Sequence, residues 1–150
     1  MGVVSFRMPI AYVEIRFYAH ATEDPKKVLE AANNILPHAH LDNITFKIDN
    51  LKGHHGNTIV LFQTKIKNKE IIQALIQNLA SNLTTLDKEI LRREINRYVE
   101  KGNLYIRLDK QGAFHGEFKL HGVDPIHLRI RFKTNKLEDI AKACEQIGII

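Results

Sequence analysis

Hydrophobic and polar residues alternate with a period of two along several segments of the chain. In residues 10–19, one set of alternate positions is apolar, while the other carries tyrosine, glutamate and arginine. Three later segments show the same alternation and predict three more strands with one buried face: residues 104–109, 114–121 and 126–133. Ile44, Phe46 and Ile48 mark a further strand. Residues 58–66 are apolar on both faces, which is typical of a central strand covered on both sides.

Helical patterns lie between these strands. Thr22 is a candidate N-cap for a helix that ends before Pro37. Apolar residues at helical spacing predict three more helices, over residues 71–79, 85–100 and 135–147, with Leu86 facing the core in the second of them. Because strands and helices are interspersed and the last three strands have short links, we predict an α+β fold. Its mostly antiparallel sheet would carry helices packed on one face, in one domain of 150 residues.

The polar positions of the strands would share the sheet face opposite the helices. This outer set is rich in cations and tyrosines and contains Tyr12, Arg16, Tyr18, Tyr105, Arg107, Lys119, His121, His127, Arg129, Arg131 and Lys133. Cationic side chains bind phosphates, and tyrosine rings can stack on unpaired bases. The pattern therefore indicates a surface for single-stranded or structured RNA. A face that is simply solvated, or one buried in a homodimer, would show the same alternation.

Basic residues exceed acidic ones, and the excess lies in the later part of the chain. The sequence has 22 Lys and Arg against 17 Asp and Glu, which gives a net charge of +5. Residues 1–50 hold five basic and six acidic groups, whereas residues 101–150 hold nine and six. Because the excess is modest, its position on the strands matters more for function than its size.

The cysteine content and hydropathy of the chain limit its location. Cys144 is the only cysteine, which excludes an intrachain disulfide and every multi-cysteine metal site. A reducing compartment suits such a chain, so we expect a cytoplasmic protein. No apolar run approaches the ~20 residues that a membrane helix needs, so we expect no membrane partner.

Two glycine-containing loops add candidate binding groups. In the loop from Gly53 to Asn57, backbone N–H groups can form an anion-binding nest and the two histidines can add donors. In the turn from Arg107 to Gly112, a strand end offers charged and amide donors that suit phosphates or base edges. An ordinary hairpin and a polar turn are the simpler interpretations of the same two segments.

Catalytic motifs are missing from the sequence. The acids are scattered, and no H-E-x-x-H, glycine-rich phosphate motif or G-x-S-x-G occurs. Cys144 lies on the inward stripe of its helix, which favours a buried core thiol over a nucleophile. We therefore expect no catalysis, no metal and no other cofactor. The alternative is a metal-dependent RNA-processing enzyme that uses the histidines, with His20 approaching those of the loop.

Three blocks of the sequence resemble those of the archaeal RNA-binding family described as a predicted exosome subunit. They are His20-Ala-Thr-Glu-Asp24, Gly53-His-His-Gly-Asn57 and Leu104-Tyr-Ile-Arg-Leu-Asp-Lys-Gln111, and residues 124–131 resemble the final strand of the family. The resemblance spans roughly residues 12–133 and implies a fold similar to the large-subunit ribosomal protein that binds 5S ribosomal RNA, often as a dimer. It also implies RNA binding without an established reaction, with exosome or ribosome-related proteins as possible partners. Thr58 and Gly112 depart from the proline and alanine that are usual in the family.

Together these features predict a non-enzymatic RNA-binding protein, and a homodimer is expected. The phosphate-binding candidates are Arg107, Lys110, Arg129, Arg131 and Lys133. Tyr18 and Tyr105 are the candidates for base stacking. The remaining candidates, which complete the predicted surface with polar or cationic contacts, are Arg16, His20, His54, His55, Asn57 and Gln111. A homodimeric interaction module with no nucleic-acid role is the main alternative.

Overall fold

A six-stranded sheet forms the centre of the protein, in a computed structural model that describes residues 8–150 except for the side chain of His54. The strands are β1 (Ile10–Ala19), β2 (Lys47–Lys52), β3 (Thr58–Ile66), β4 (Val99–Glu100), β5 (Asn103–Leu108) and β6 (Ile126–Phe132). Their order across the sheet is β2-β3-β1-β6-β5-β4, and every neighbouring pair is antiparallel. The helices are α1 (Pro25–Ile35), α2 (Lys69–Asn82), α3 (Thr85–Arg93), α4 (Ile95–Tyr98), α5 (Lys110–Ala113) and α6 (Leu137–Gln146). The predicted α+β class with an antiparallel sheet is therefore confirmed.

One face of the sheet builds the core. From Val13 onwards in β1 and throughout β5 and β6, every second residue is buried, and the residues between them are half-buried or exposed. The Phe17 ring lies at the middle of this core, stacked on Phe62 at 4.9 Å and edge-on to Phe46 at 5.3 Å between ring centroids. Cys144 is buried on α6, and burial raises the pKa of its thiol to about 12, which fits the expected inert core residue. None of the helices among residues 8–150 is long and apolar enough to cross a membrane.

The strand predicted over residues 114–121 is wrong. Asp109 caps the short helix α5 by accepting hydrogen bonds from the backbone N–H groups of Gln111 and Gly112. A turn follows in which Gly116 adopts a φ of +70°, and Leu120 alone forms a bridge to Leu108. The local capping bonds and the left-handed glycine override the alternation of side chains.

The single helix predicted over residues 85–100 is also wrong, because the helical backbone breaks at Glu94, whose φ and ψ are −114° and 27°. Residues beyond it form α4 and the two-residue strand β4. Leu86, predicted to face the core, is 68% exposed, and Leu91 is buried instead. The apolar stripe used to predict this helix included Leu86 in place of Leu91.

Three boundaries differ from the prediction in smaller ways. The first helix begins at Pro25, because Asp24 and not Thr22 provides the cap. The second strand begins at Lys47 rather than at residue 44. β3 is not covered on both sides, since only Phe62 and Ile66 in it are buried.

The polar positions of the central strands lie together on the face opposite the core. We call this surface the open face, and it carries Tyr12, Glu14, Arg16, Tyr18, Lys47, Gln63, Lys65, Tyr105, Arg107, His127, Arg129 and Arg131. None of them is fully buried. Lys119 and His121, expected on the same face, lie instead in the segment after α5.

Candidate nucleic-acid interface

Strand register aligns one row of residues across the open face. The row runs through Lys47, Gln63, Arg16, His127 and Arg107, each directly opposite the next on neighbouring strands. Adjacent strands lie about 4.8 Å apart, so the row extends over about 19 Å. It contains three permanent cations and no acid, and we call it the cationic row.

Two arginines of the cationic row are free to meet a ligand. The guanidinium groups of Arg16 and Arg107 form no hydrogen bond or ion pair with any side chain or backbone group that the structure describes. Arg107 lies over the Tyr105 ring, with 5.8 Å between its guanidinium carbon and the ring centroid. An anion that approaches this part of the sheet therefore does not have to displace a protein partner from either group.

A groove of about 590 Å³ lies along the cationic row. Its walls include Arg16, Gln63 and His127 from the row, together with residues of the neighbouring positions on the same strands. Burial lowers the pKa of the His127 imidazole, and the charges of Arg107 and Arg16 lower it further. The imidazole is therefore neutral at pH 7 and offers one donor and one acceptor.

The neighbouring row of the open face contains Glu14, Arg129 and Lys65, and its charged side chains are paired with one another. Glu14 accepts a charge-assisted hydrogen bond from Arg129 at 2.8 Å and lies 4.0 Å from the Lys65 ammonium. Arg129 also donates to the Tyr12 hydroxyl at 3.4 Å. Arg129 is thus on the open face as predicted, but its charge is shared with a carboxylate before any ligand arrives.

The candidate stacking rings lie on two different strands. Tyr18 is on β1 and Tyr105 is on β5, and both are half-buried on the open face. Tyr105 is directly opposite Arg129 in the strand register, so cations border its ring on two sides. A base placed on this ring would contact arginine as well as the aromatic face.

Lys110 does not fit the predicted role in phosphate binding, because its side chain is only 3% exposed. Its ammonium donates to the Tyr18 carbonyl at 2.9 Å, to Glu23 Oε1 at 3.0 Å and to Asp124 Oδ2 at 2.6 Å. A buried ammonium with three acceptors is satisfied by the protein itself. We call Lys110, Glu23, Asp124 and His20 the lysine cluster.

The described contacts of His20 are with the lysine cluster and not with the loop from Gly53 to Asn57. Its Nε2 lies 3.0 Å from Asp124 Oδ1, and its backbone N–H donates to Glu23 Oε1. The ring is nevertheless exposed at the end of β1. Burial alone would raise the pKa of Asp124, but hydrogen bonds from Lys110 and His20 outweigh it and hold that pKa below its usual value.

The lysine cluster also contains three potential metal ligands. Donor atoms of His20, Glu23 and Asp124 lie within 4.8 Å of one another. The ammonium of Lys110 is bound to both carboxylates, so it already neutralises the charge that would attract a divalent cation. The donor set therefore fits an internal ion pair better than a metal.

Arg131 is tied to the hairpin between β4 and β5. Its guanidinium donates to the Lys101 carbonyl and to Asn135 Oδ1. Gly102 makes room for this contact, since a Cβ atom there would overlap the guanidinium. Lys133 follows β6 and is exposed. Of these two predicted phosphate ligands, only the Lys133 ammonium forms no hydrogen bond or ion pair among the described contacts.

The remaining predicted residues lie in the two loops. His55 is exposed and adopts a φ of 63°. Asn57 is also exposed, and its backbone carbonyl accepts a hydrogen bond from the backbone N–H of Gly53. The side chain of His54 lies outside the described part of the structure. Gln111 is exposed on α5. These loop residues are not part of the cationic row.

Sequence reasoning left three members of the cationic row out of the candidate site. His127 was placed on the outer face but given no role, while Lys47 and Gln63 were not singled out at all. The alternation of β6 could have selected His127. Lys47 and Gln63 become visible only through the pairing of β2 with β3 and of β3 with β1.

Several known proteins are similar to this chain over most of its length. A family model described as RNA binding matches residues 12–132. The RNA-binding protein PAB1135 of Pyrococcus abyssi is 37% identical over 139 residues, which cover 89% of this chain and 90% of that protein. MJ0213 of Methanocaldococcus jannaschii is 30% identical over 125 residues, covering 81% and 83%. The crystal structure of AF2318 from Archaeglobus fulgidus, a DUF54 protein, superposes with a TM-score of 0.77 at 30% identity and covers 92% of this chain and 99% of that one.

Proposed function

Since this chain belongs to the RNA-binding family whose model it matches from residue 12 to residue 132, we propose that it binds RNA through the open face. It does so without catalysing a reaction, and it requires no metal or other cofactor. The groups that contact phosphates are Arg16 and Arg107 on the open face and Lys133 just beyond the end of β6, with Arg129 contributing when its bond to Glu14 is weakened. Tyr18 and Tyr105 provide stacking surfaces for bases.

The unpaired pair of arginines on an uncovered sheet face is the observation that carries this proposal. Elsewhere on the same face, Arg129 and Arg131 have protein partners, yet Arg16 and Arg107 form no hydrogen bond or ion pair through their guanidinium groups among the described residues. Because neither guanidinium has a counter-ion in the described part of the protein, one anionic ligand can neutralise both charges. A polyanion that runs across the strands meets both guanidinium groups at once.

Three finer parts of the proposal have separate support. Association with the archaeal exosome or with ribosomal components rests on the family resemblance, as does a homodimer. A cytoplasmic location rests on the single reduced cysteine. Copurification with exosome subunits and sedimentation of the purified protein test the first two without reference to RNA affinity.

Replacing both arginines with alanine, Arg16→Ala with Arg107→Ala, is expected to weaken RNA binding about tenfold at 0.1 M salt, because two charge-assisted contacts are lost. Anisotropy titrations with single-stranded and with structured RNA measure the change. For three phosphates on a single strand, the slope of log K against log salt should be about −2 in the wild type and should become shallower in the variant.

The matched control is Lys26→Ala with Lys27→Ala, which removes the same charge from exposed positions on α1. An equal loss of affinity in the control would show that net charge alone drives binding. Binding of the wild type without a salt slope would contradict the proposed function.

Replacing Glu14 with glutamine is expected to strengthen RNA binding about threefold, since one repulsive charge leaves the face and Arg129 becomes free for a phosphate. The same titration at constant salt measures this gain. Glu30→Gln, an exposed position on α1, serves as the control that changes net charge equally. Unchanged or weaker binding by the Glu14 variant would place the RNA away from this row.

A further inference from the structure

His127 lies in the cationic row between Arg16 and Arg107, the two arginines without an ionic partner. The strand register places it directly opposite Arg16 on one side and Arg107 on the other. These three Cα atoms span about 10 Å, two strand spacings, so three side chains can converge on one small anion. His127 is half-buried and lines the groove.

The charges around His127 come from three strands. Arg16 on β1 and Arg107 on β5 lie directly opposite it. Glu14, Arg129 and Tyr105 lie two positions further along β1, β6 and β5. Glu14 is occupied by Arg129, so no free carboxylate among the described residues offsets the two arginines. The imidazolium form is therefore disfavoured in the free protein, and burial adds to this effect.

We propose that Arg16, His127 and Arg107 form a phosphodiester-binding subsite in which His127 takes up one proton when RNA binds. The inference rests on the proposed function and specifies the ligand group and its linkage to pH. A phosphodiester seated between the arginines cancels their field at the imidazole. The protonated ring then donates a charge-assisted hydrogen bond to a phosphate oxygen. The proton comes from the solvent, and no covalent bond forms or breaks.

A chain of phosphates fits the subsite better than a single free phosphate. The cationic row continues past Arg16 to Gln63 and Lys47, which gives a neighbouring phosphate a second set of donors. On the other side, the Tyr105 ring lies beside Arg107 and can stack on the attached base. An isolated phosphate would contact only Arg16, His127 and Arg107 and would gain none of these additional contacts.

The test compares the pH dependence of RNA affinity in the wild type and in His127→Gln. The probe is a uridine oligonucleotide of about ten nucleotides, because its bases and phosphodiesters do not titrate between about pH 6 and pH 8. Affinity of the wild type is expected to rise about tenfold as the pH falls over that range, and by about twofold or less in the variant. Calorimetry in two buffers of different ionisation enthalpy should show uptake of close to one proton by the wild type only.

His38→Gln is the control, since His38 is exposed at the start of a 3-10 helix (His38–Asn43) that follows α1 and lies outside the open face. It should keep the full pH dependence. The subsite is overturned if His127→Gln also keeps the full pH dependence, or if the wild type binds RNA with no proton uptake. In either case, salt-dependent RNA binding by the wild type would leave the proposed function intact. Loss of all salt-dependent binding by the wild type would overturn both. Inorganic phosphate or uridine monophosphate binding as tightly as the oligonucleotide would overturn the assignment to a phosphodiester chain.

Discussion

Replacing Lys110 with methionine is expected to lower the free energy of unfolding by about 3 kcal/mol, because the change leaves two carboxylates without their shared cation. The Lys110 side chain is 3% exposed, and the three acceptors of its ammonium come from β1, from the segment before α1 and from the segment before β6. Methionine fills a similar volume but donates nothing to Glu23 or Asp124. Urea unfolding followed by circular dichroism measures the loss.

Lys142→Met is the control, because Lys142 is exposed on α6 and forms no ion pair among the described contacts. It should leave the unfolding midpoint almost unchanged. A Lys110→Met protein as stable as this control would mean that the lysine cluster contributes nothing to the fold.

The pH dependence of stability gives a second readout for the lysine cluster. Asp124 has a lower pKa in the folded protein than its ordinary 3.8, so its ion pairs stabilise the fold fully above that value. This contribution is lost as the pH falls through the folded pKa. Removing Lys110 takes away a principal cause of the lowered pKa, and the acid-sensitive range of this residue should move to higher pH. Unfolding curves at successive pH values compare the wild type with the variant.

Replacing Gly102 with alanine is expected to cost about 2 kcal/mol of stability, from two separate causes. The residue has a φ of +83°, which costs a non-glycine residue about 1 kcal/mol. The new methyl group would also overlap the Arg131 guanidinium and lie 2.7 Å from Asn135 Oδ1. Arg131 would have to release the Lys101 carbonyl, which loosens the hairpin between β4 and β5. Thermal or urea unfolding measures the sum.

Gly116→Ala separates the two causes. Gly116 has a φ of +70°, and no atom would lie within 4 Å of an added Cβ. It should show the backbone cost alone, about 1 kcal/mol. Equal losses at the two positions would mean that the Arg131 contact is worth nothing. A larger loss at Gly102 assigns Arg131 to the hairpin, and its substitution should then affect stability more than RNA affinity.

The sequence predicted most of the strands and helices well, and it failed mainly over residues 85–100 and 114–121. β1, β5 and β6 match the prediction to within a residue or two, because each has a clean alternation and a fully buried inner set. Residues 114–121 alternate equally well, yet the side-chain cap from Asp109 and the left-handed Gly116 form a turn there. Alternation shows that a strand is compatible with the sequence, whereas local hydrogen bonds decide whether it forms.

The candidate site was predictable only where it depends on one strand at a time. Arg16, Arg107 and Arg129 were placed on the open face correctly, since the period of two fixes the side on which they lie. Which of them is paired follows from the register between strands, and register is a property of contacts distant in the sequence. Glu14 meets Arg129 across 115 positions of the chain, so the local pattern carried no sign of the ion pair.

The family resemblance is confirmed by the match over residues 12–132, but the structure changes the meaning of its blocks. His20 and Glu23 from the first block, Lys110 from the third, and Asp124 from the final segment all meet in the lysine cluster. Several residues that carry the resemblance thus hold three parts of the chain together. The same blocks also contribute to the open face, since the third block contains Tyr105 and Arg107 and the final segment contains His127 and Arg129. Arg16, Gln63 and Lys47 complete the cationic row from outside the blocks.

The position of β1 in the middle of the sheet has a consequence for biosynthesis. This first strand pairs on one side with β3 and on the other with β6, so that Ile10 faces Phe132 near the opposite end of the chain. In a nascent chain emerging from the ribosome, one edge of β1 therefore pairs early with β3. The other edge stays open until β6, which begins more than one hundred residues after the end of β1, has been translated. Until β6 arrives, the exposed backbone of β1 is a site for mispairing, and chaperone capture at that stage would protect the nascent protein.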